Sequence, residues 1–319
     1  MRALVVLLSL LLAGCSVISI DLSSRLRPLT EQTVEGRGSA KILLMDISGF
    51  LSDEGAPALS VGAPPPRVGP LVRLREELKK AAADPEVKAL VMRINSPGGT
   101  VTASDIMFRE LHGFRQTTGM PVVAVMMDVA ASGAYYVALA ADTIVAHPTT
   151  VTGSIGVIMI SLNAEGLMQK VGLAAATIKS GERKDMGSPF RALTPEERGI
   201  FQSVIDELHR QFVAKVVERR RLTPETARAL ADGRIYTAEQ AREAKLIDRI
   251  GYMDDALAVA RRAIGVDEAR VIVYHRPREY RATYYARAQA SEGGLEAPLN
   301  QLAGTLLGGG PRFLYLWWP

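Results

Sequence analysis

The sequence predicts an α/β protein built on a largely parallel sheet, with a helical region toward its C-terminus. Three observations carry this expectation. Short β-branched runs recur from residue 40 onward; longer segments of helical periodicity separate them; and small residues mark the points where a strand hands over to a helix.

The first strand is expected at Lys41 to Ile47 and the next at Val87 to Ile94. Between them, Leu71 to Ala83 places apolar residues at helical spacing and sets Glu76 and Glu77 against Lys79 and Lys80. Ser52 to Pro70, with Pro64, Pro65 and Pro66 in a row, reads as a surface loop. A second unit follows: helix Thr102 to Arg115, strand Pro121 to Met127, then Ala130 to Tyr136 opening another helix, and strand Thr143 to Ala146. A long helix is expected from Thr194 to Arg221, because Thr194 can cap it, Pro195 suits its first position and Glu196 and Glu197 put acid in its first turn. Two further helices are expected at Ala238 to Lys245 and Asp254 to Ile264. No internal repeat is evident, and one domain over residues 40–275 accounts for these elements.

Composition narrows the function. The chain has 319 residues, 48% of them hydrophobic, enough for a large core. Its 38 basic and 34 acidic side chains leave a net charge of only +4, which argues against a nucleic-acid partner.

The N-terminus carries an address. Arg2 precedes an apolar run from Leu4 to Ala13 that is too short to span a bilayer as a mature helix. It ends in Leu12-Ala13-Gly14-Cys15, which resembles a bacterial lipobox, and Cys15 is the sole cysteine of the chain. With no thiol partner for a disulfide, Cys15 is expected to be lipidated. Residues 1–14 are then a lipoprotein signal peptide and residues 15–39 a lipidated tether. The anchored protein would face the periplasm, and Ser16 after the cysteine favours the outer membrane. Residues 276–319 form a Gly/Ala-rich tail ending in Trp317-Trp318-Pro319. Two readings of that tail stand side by side: a strand or plug packed on the core, or a contact with a membrane interface or a peptide groove.

Four motifs carry the chemistry. Asn95-Ser96-Pro97-Gly98-Gly99-Thr100 falls where a strand meets a helix, and its glycines can turn backbone N–H groups into an open site. A bare turn explains that motif equally well. Ser132 sits between Ala131 and Gly133 at the next such junction, so its hydroxyl is approachable, and the Gly133 amide could meet an oxyanion; alone, it reads as an ordinary helix N-cap. Thr152-Gly153-Ser154-Ile155-Gly156-Val157 and Lys179-Ser180-Gly181-Glu182-Arg183-Lys184-Asp185 complete the set.

In this order the four motifs resemble the signal peptide peptidase (protease IV) family, over about residues 40 to 265. The resemblance implies a Clp/crotonase-like fold of repeated ββα units and a Ser/Lys dyad. It makes Ser132 the nucleophile, Lys184 the general base and Ser154 a hydroxyl that orients the lysine, with Gly98 and Gly133 as oxyanion donors. Such a lysine must be neutral when it takes the serine proton, which demands burial in an apolar site. The plainer reading of Lys184 is a surface cation paired with Asp185 or Glu182. The resemblance further implies a homo-oligomeric ring in which one subunit's serine meets its neighbour's lysine, acting on hydrophobic peptides such as residual signal peptides, or on envelope proteins.

A Ser-His-Asp triad would need one of His112, His147, His209 or His275, and none lies in a motif. No metal-binding spacing occurs, and the proposed chemistry needs no cofactor. A crotonase-type acyl-CoA enzyme is the second expectation, disfavoured by export away from cytoplasmic CoA; a non-catalytic scaffold lipoprotein is the third.

Overall fold

A computed structural model describes residues 28–53, 68–276, 283 and 313–317. The expected signal peptide, Cys15, most of the expected loop and most of the expected tail lie outside the described residues.

The long strands are β1 (Thr30–Glu35), β2 (Lys41–Ser48), β3 (Val87–Ser96), β5 (Val122–Ala131), β6 (Thr143–Ala146) and β11 (Arg270–His275). Shorter ones are β4 (Gly98–Thr100), β7 (Val151–Gly153), β8 (Ile158–Met159), β9 (Ile235–Thr237), β10 (Arg249–Ile250) and β12 (Phe313–Leu316). The helices are α1 (Pro70–Ala82), α2 (Val101–Thr118), α3 (Gly133–Ala138), α4 (Glu165–Lys170), α5 (Pro195–Arg220), α6 (Pro224–Leu230), α7 (Ala238–Glu243) and α8 (Met253–Ala263).

The main sheet runs β1-β11-β2-β3-β5-β6-β10. Pairing is parallel from β11 through β10, and only β1 at the edge is antiparallel to its neighbour. Parallel strands are covered on both faces, and the residues alternate accordingly. Leu43, Met45 and Ile47 of β2 join the core cluster that includes Leu74, Met107 and Tyr135. Ile42 and Leu44 point the other way, into the cluster with Met253, Leu257 and Ala260 of α8. Each such buried aliphatic side chain contributes about 1.5–3 kcal/mol. Within this core, Arg93 and Asp46 face each other across β3 and β2 and share two hydrogen bonds of 2.7 and 2.8 Å.

Helix ends follow the sequence signals. The Thr194 hydroxyl accepts from the Glu197 amide at 3.2 Å while the Glu197 carboxylate accepts from the Thr194 amide at 3.0 Å, a closed capping box before Pro195. Thr100 caps α2 by accepting from the Ala103 amide at 3.2 Å.

Two boundaries move. The segment expected to be tether contains β1, which pairs with β11 from Thr30↔His275 to Glu35↔Val271. The segment expected to be tail contains β12, which joins β4 and β8 in a separate three-stranded sheet ordered β4-β12-β8. Neither strand alternates cleanly in sequence: β1 is an exposed edge strand and β12 is apolar throughout.

The long strand β5 positions the functional residues. Its first half pairs with β6, from Val123↔Thr143 to Met126↔Ala146. Its second half leaves β6 and pairs with β7 instead, from Val129↔Val151 to Ala131↔Gly153. The divergence lifts the last residues of β5 clear of β6 and aims them at Ser132.

Candidate active site around Ser132

Ser132 closes β5 and precedes α3 with φ 52° and ψ −117°, left-handed backbone that a serine adopts only under constraint. Such a conformation costs about 1–3 kcal/mol and persists where its surroundings enforce it. Here they do: the Ser132 amide donates to the Gly153 carbonyl at 2.7 Å, and the Thr152 hydroxyl stitches β7 to β5 by donating to the Ala130 carbonyl at 2.6 Å. The ordinary N-cap reading fails, because the Ser132 side chain makes no capping hydrogen bond. Its hydroxyl oxygen is buried with no hydrogen-bond partner. A strained strand-to-helix turn that presents an uncommitted hydroxyl is the arrangement of an activated nucleophile.

Ser154 repeats the pattern. It follows β7 with φ 48°, is nearly buried, and donates its amide to the Arg234 carbonyl at 2.8 Å. Because Ala131 pairs with Gly153 in parallel register, the two serines leave their strands side by side.

The Asn95-to-Thr100 motif is more than a turn. Asn95 accepts the Val129 amide on its side-chain oxygen at 3.1 Å, where the pairing of β3 with β5 shifts register. Ser96 donates its hydroxyl to the Gly49 carbonyl at 2.6 Å and accepts the Gly98 amide at 3.1 Å. That last bond corrects the expected oxyanion set: the Gly98 N–H is already used. The neighbouring Gly99 amide lies against Gly133 instead, 3.2 Å from where a Gly133 Cβ would stand. Gly98 has φ +107°, and a Cβ there would fall 2.0 Å from the Tyr315 carbonyl oxygen and 2.9 Å from the Gly133 nitrogen. A Cβ at Gly133 would fall 2.3 Å from the Ser104 hydroxyl oxygen. Backbone packs against backbone here at distances that exclude side chains.

Lys184 stands apart from this buried group. It lies exposed in a run of turns between α4 and α5, its backbone amide donating to the Gly181 carbonyl at 3.1 Å. The expected ion pair with Asp185 is made by other residues: Lys179 at 2.7 Å and Arg191 at 2.8 Å. Arg191 also donates to Glu197 at 2.9 Å, so two carboxylates clamp one guanidinium across the base of the segment. Hydrogen bonds from Arg191 hold the Asp185 carboxyl well below its usual range, and hold Glu197 down to about 2. Around Lys184 the surface is unusually apolar for a lone chain: Leu173 is 61% exposed, Ile178 fully exposed and Phe190 51% exposed.

The four histidines are engaged elsewhere. His112 stacks on Phe108, and burial lowers its pKa. His147 contacts Thr149 and Tyr252, His209 bonds the Ala231 carbonyl, and His275 bonds Thr30. No hydrogen bond joins a histidine to Ser132 among the described residues.

Comparison with known proteins agrees with the motifs. Residues 115–267 match the family described as Peptidase family S49. A protein of Enterococcus faecium named for signal peptide peptidase SppA is 36% identical over 77% of this chain and 70% of its own length. Protease 4 of Salmonella typhi is 38% identical over 58% of this chain, which spans 29% of that relative. The chloroplastic serine protease SPPA of Arabidopsis thaliana is 36% identical over 61% of this chain and 28% of its own length. Among solved structures, a ClpP1 mutant from Listeria monocytogenes covers 67% of this chain and 94% of its own, with a TM-score of 0.42 and 16% identity. These relatives put the chain in the class of peptidases. It belongs to the signal peptide peptidase SppA family.

Proposed function

We propose that the protein is a serine endopeptidase in which Ser132 is the nucleophile and Lys184, supplied by a neighbouring copy, is the general base. The observation that carries this reading is the Ser132 hydroxyl, buried without a partner on a left-handed elbow and ringed by glycine backbone.

The Ser132 oxygen attacks the substrate carbonyl as its proton passes to the neutral Lys184 amine. Negative charge then builds on the carbonyl oxygen, where the Gly133 amide and, in place of Gly98, the Gly99 amide would meet it. Collapse expels the new amine, which takes the proton from Lys184, and water later releases the acyl group from Ser132. Ser154, beside Ser132, would hold the lysine in line. Lys184 must be dry to act, and the exposed Leu173, Ile178 and Phe190 are the surface that packing against a second copy would bury. This supports a homo-oligomeric ring with shared sites. Lipidation at Cys15 would anchor it in the cell envelope, facing the periplasm, with residual signal peptides or envelope proteins as substrates.

The test mixes two inactive proteins. Ser132→Ala and Lys184→Ala are each expected to be inactive on a hydrophobic fluorogenic peptide, and the mixture to regain part of the activity after subunit exchange. Ser132 should also take a fluorophosphonate label that Ser132→Ala does not. An unlabelled wild type with full peptide turnover would end the proposal.

A further inference from the structure

We propose that β12 occupies the peptide channel of this active site as an internal competitor, and that the pocket filled by Tyr315 is where a substrate's aromatic or large apolar side chain binds. The inference rests on the peptidase reading above and deepens it to a binding register and a mode of control.

The argument begins with edges. β12 lies between β4 and β8 and is antiparallel to both, with Tyr315 opposite Gly99 and Leu314 opposite Ile158. Lift β12 out and β4 and β8 become two free edges facing across a slot one strand wide, since neighbouring strands stand about 4.8 Å apart. A slot of that shape takes an extended peptide, which gains main-chain hydrogen bonds on both sides whatever its sequence. Trp317 lengthens the pairing by donating its amide to the Pro97 carbonyl at 2.9 Å.

Position ties the slot to the chemistry. The edge offered by β4 is the Gly98-Gly99 segment itself, and the Tyr315 carbonyl oxygen is close enough that a Cβ at Gly98 would stand 2.0 Å from it and one at Gly133 3.0 Å. The backbone of β12 therefore runs past the same glycines that would receive a substrate carbonyl. While it does so Ser132 is 1% exposed, so an incoming peptide has no route to the hydroxyl.

Side chains alternate along β12, and the two aromatics share one face. Tyr315 is 1% exposed, with its ring 4.6 Å from Phe212 and stacked on Tyr136 at 5.4 Å. Its hydroxyl donates to the Leu208 carbonyl at 2.9 Å. Two residues earlier, Phe313 meets Phe201, also on α5, at 6.2 Å. The helix thus presents two aromatic-lined pockets at strand spacing, and a substrate in this register would fill them with residues two apart.

An occupant that must leave first raises the apparent KM by the inverse of the open fraction and leaves kcat unchanged. The test uses the full chain. Tyr315→Asp puts a carboxylate into the apolar pocket and should eject β12; KM for a hydrophobic fluorogenic peptide is expected to fall about tenfold with kcat within about twofold, and Tyr315→Phe should leave both close to wild type. Binding is read separately, by fluorescence anisotropy of a labelled peptide with the sequence of residues 312–318. That peptide should bind Ser132→Ala/Tyr315→Asp at least about tenfold more tightly than Ser132→Ala alone. If the aspartate variant loses its cooperative melt, Tyr315→Ala is scored in the same two assays. An unchanged KM together with equal peptide affinity in both backgrounds overturns the proposal. Because anisotropy needs no chemistry, tight binding without hydrolysis in any form would sink the peptidase reading and spare the channel; hydrolysis without a binding difference would do the reverse.

Discussion

The platform under Ser132 and the segment carrying Lys184 are built on opposite principles. Ser132 ends a strand paired on both sides, its amide bonded to Gly153, its residue buried and its backbone forced into left-handed geometry. Lys184 rides on turns, exposed, tied down only through the salt links of its neighbours Lys179, Asp185 and Arg191. One half of the proposed dyad is finished by intramolecular packing, and the other is left with apolar surface facing outward. The contrast teaches that a single chain can complete the geometry of its nucleophile without completing its active site.

The largest effects should come from the two ends of that contrast. Ser132→Ala is expected to reduce peptide hydrolysis by at least about 10³-fold, as loss of a nucleophile does, with a melting temperature close to wild type. Lys184→Ala should match it in activity, and an exposed side chain of this kind moves stability by no more than about 0.5 kcal/mol. Steady-state kinetics and thermal melts on the two variants check both. A Lys184→Ala protein with undiminished turnover would break the comparison, because its exposed half would then have no catalytic part.

A smaller but sharper effect is expected at Gly133. A methyl group there would meet the Ser104 hydroxyl oxygen at 2.3 Å, and the resulting shift would misplace one oxyanion donor, worth about 10²–10³-fold in kcat. Gly133→Ala combined with Ser104→Ala relieves the steric conflict. If the double variant recovers activity, the clash was the cause; if it stays down with a normal melt, the backbone of the elbow itself needs glycine.

How much of this was legible in the sequence depends on where each residue gets its instructions. The buried strands and the capped helices announce themselves locally: Val87 to Ile94 is continuously apolar apart from Lys88 and Arg93, and Thr194-Pro195-Glu196-Glu197 writes out its own cap. The motif order around Ser132 pointed to the site. What could not be read was anything fixed by partners distant in sequence. β1 and β12 exist because β11, β4 and β8 supply edges for them, and no local pattern encodes an edge offered from 200 residues away. The same holds for Gly98, whose amide is consumed by Ser96; a Ser two residues before a Gly was a visible hint, since a serine hydroxyl often captures a nearby backbone amide. Tyr315 gave only the signal of an aromatic-rich end.

Arg191 offers the next step down in effect. Its guanidinium joins Asp185 to Glu197 and so links the lysine-bearing turns to the first turn of α5. Arg191→Gln should leave the core untouched and the melting temperature near wild type, while lowering kcat/KM several-fold and speeding proteolytic nicking between residues 171 and 194. Equal nicking rates in the two proteins would show that the clamp holds nothing.

The smallest effect is a pH dependence whose sign follows from the same clamp. Hydrogen bonds from Arg191 depress both carboxyls, Glu197 from a usual 4.5 to about 2 and Asp185 well below its usual range. A carboxylate with a depressed folded value stabilises the fold above its unfolded value and loses that contribution as pH falls through the folded one. The clamp should therefore be indifferent to pH from 8 down to 5 and loosen only between about 4.5 and 2. Hydrogen exchange of amides 180–190, corrected for the intrinsic rate, should show opening flat above pH 5 and rising below it. In Glu197→Gln the acid rise should shrink while Asp185 still contributes. An opening transition between pH 8 and 6 would assign the segment's order to some other titrating group and remove the clamp from the account of how the lysine half is held ready for its neighbour.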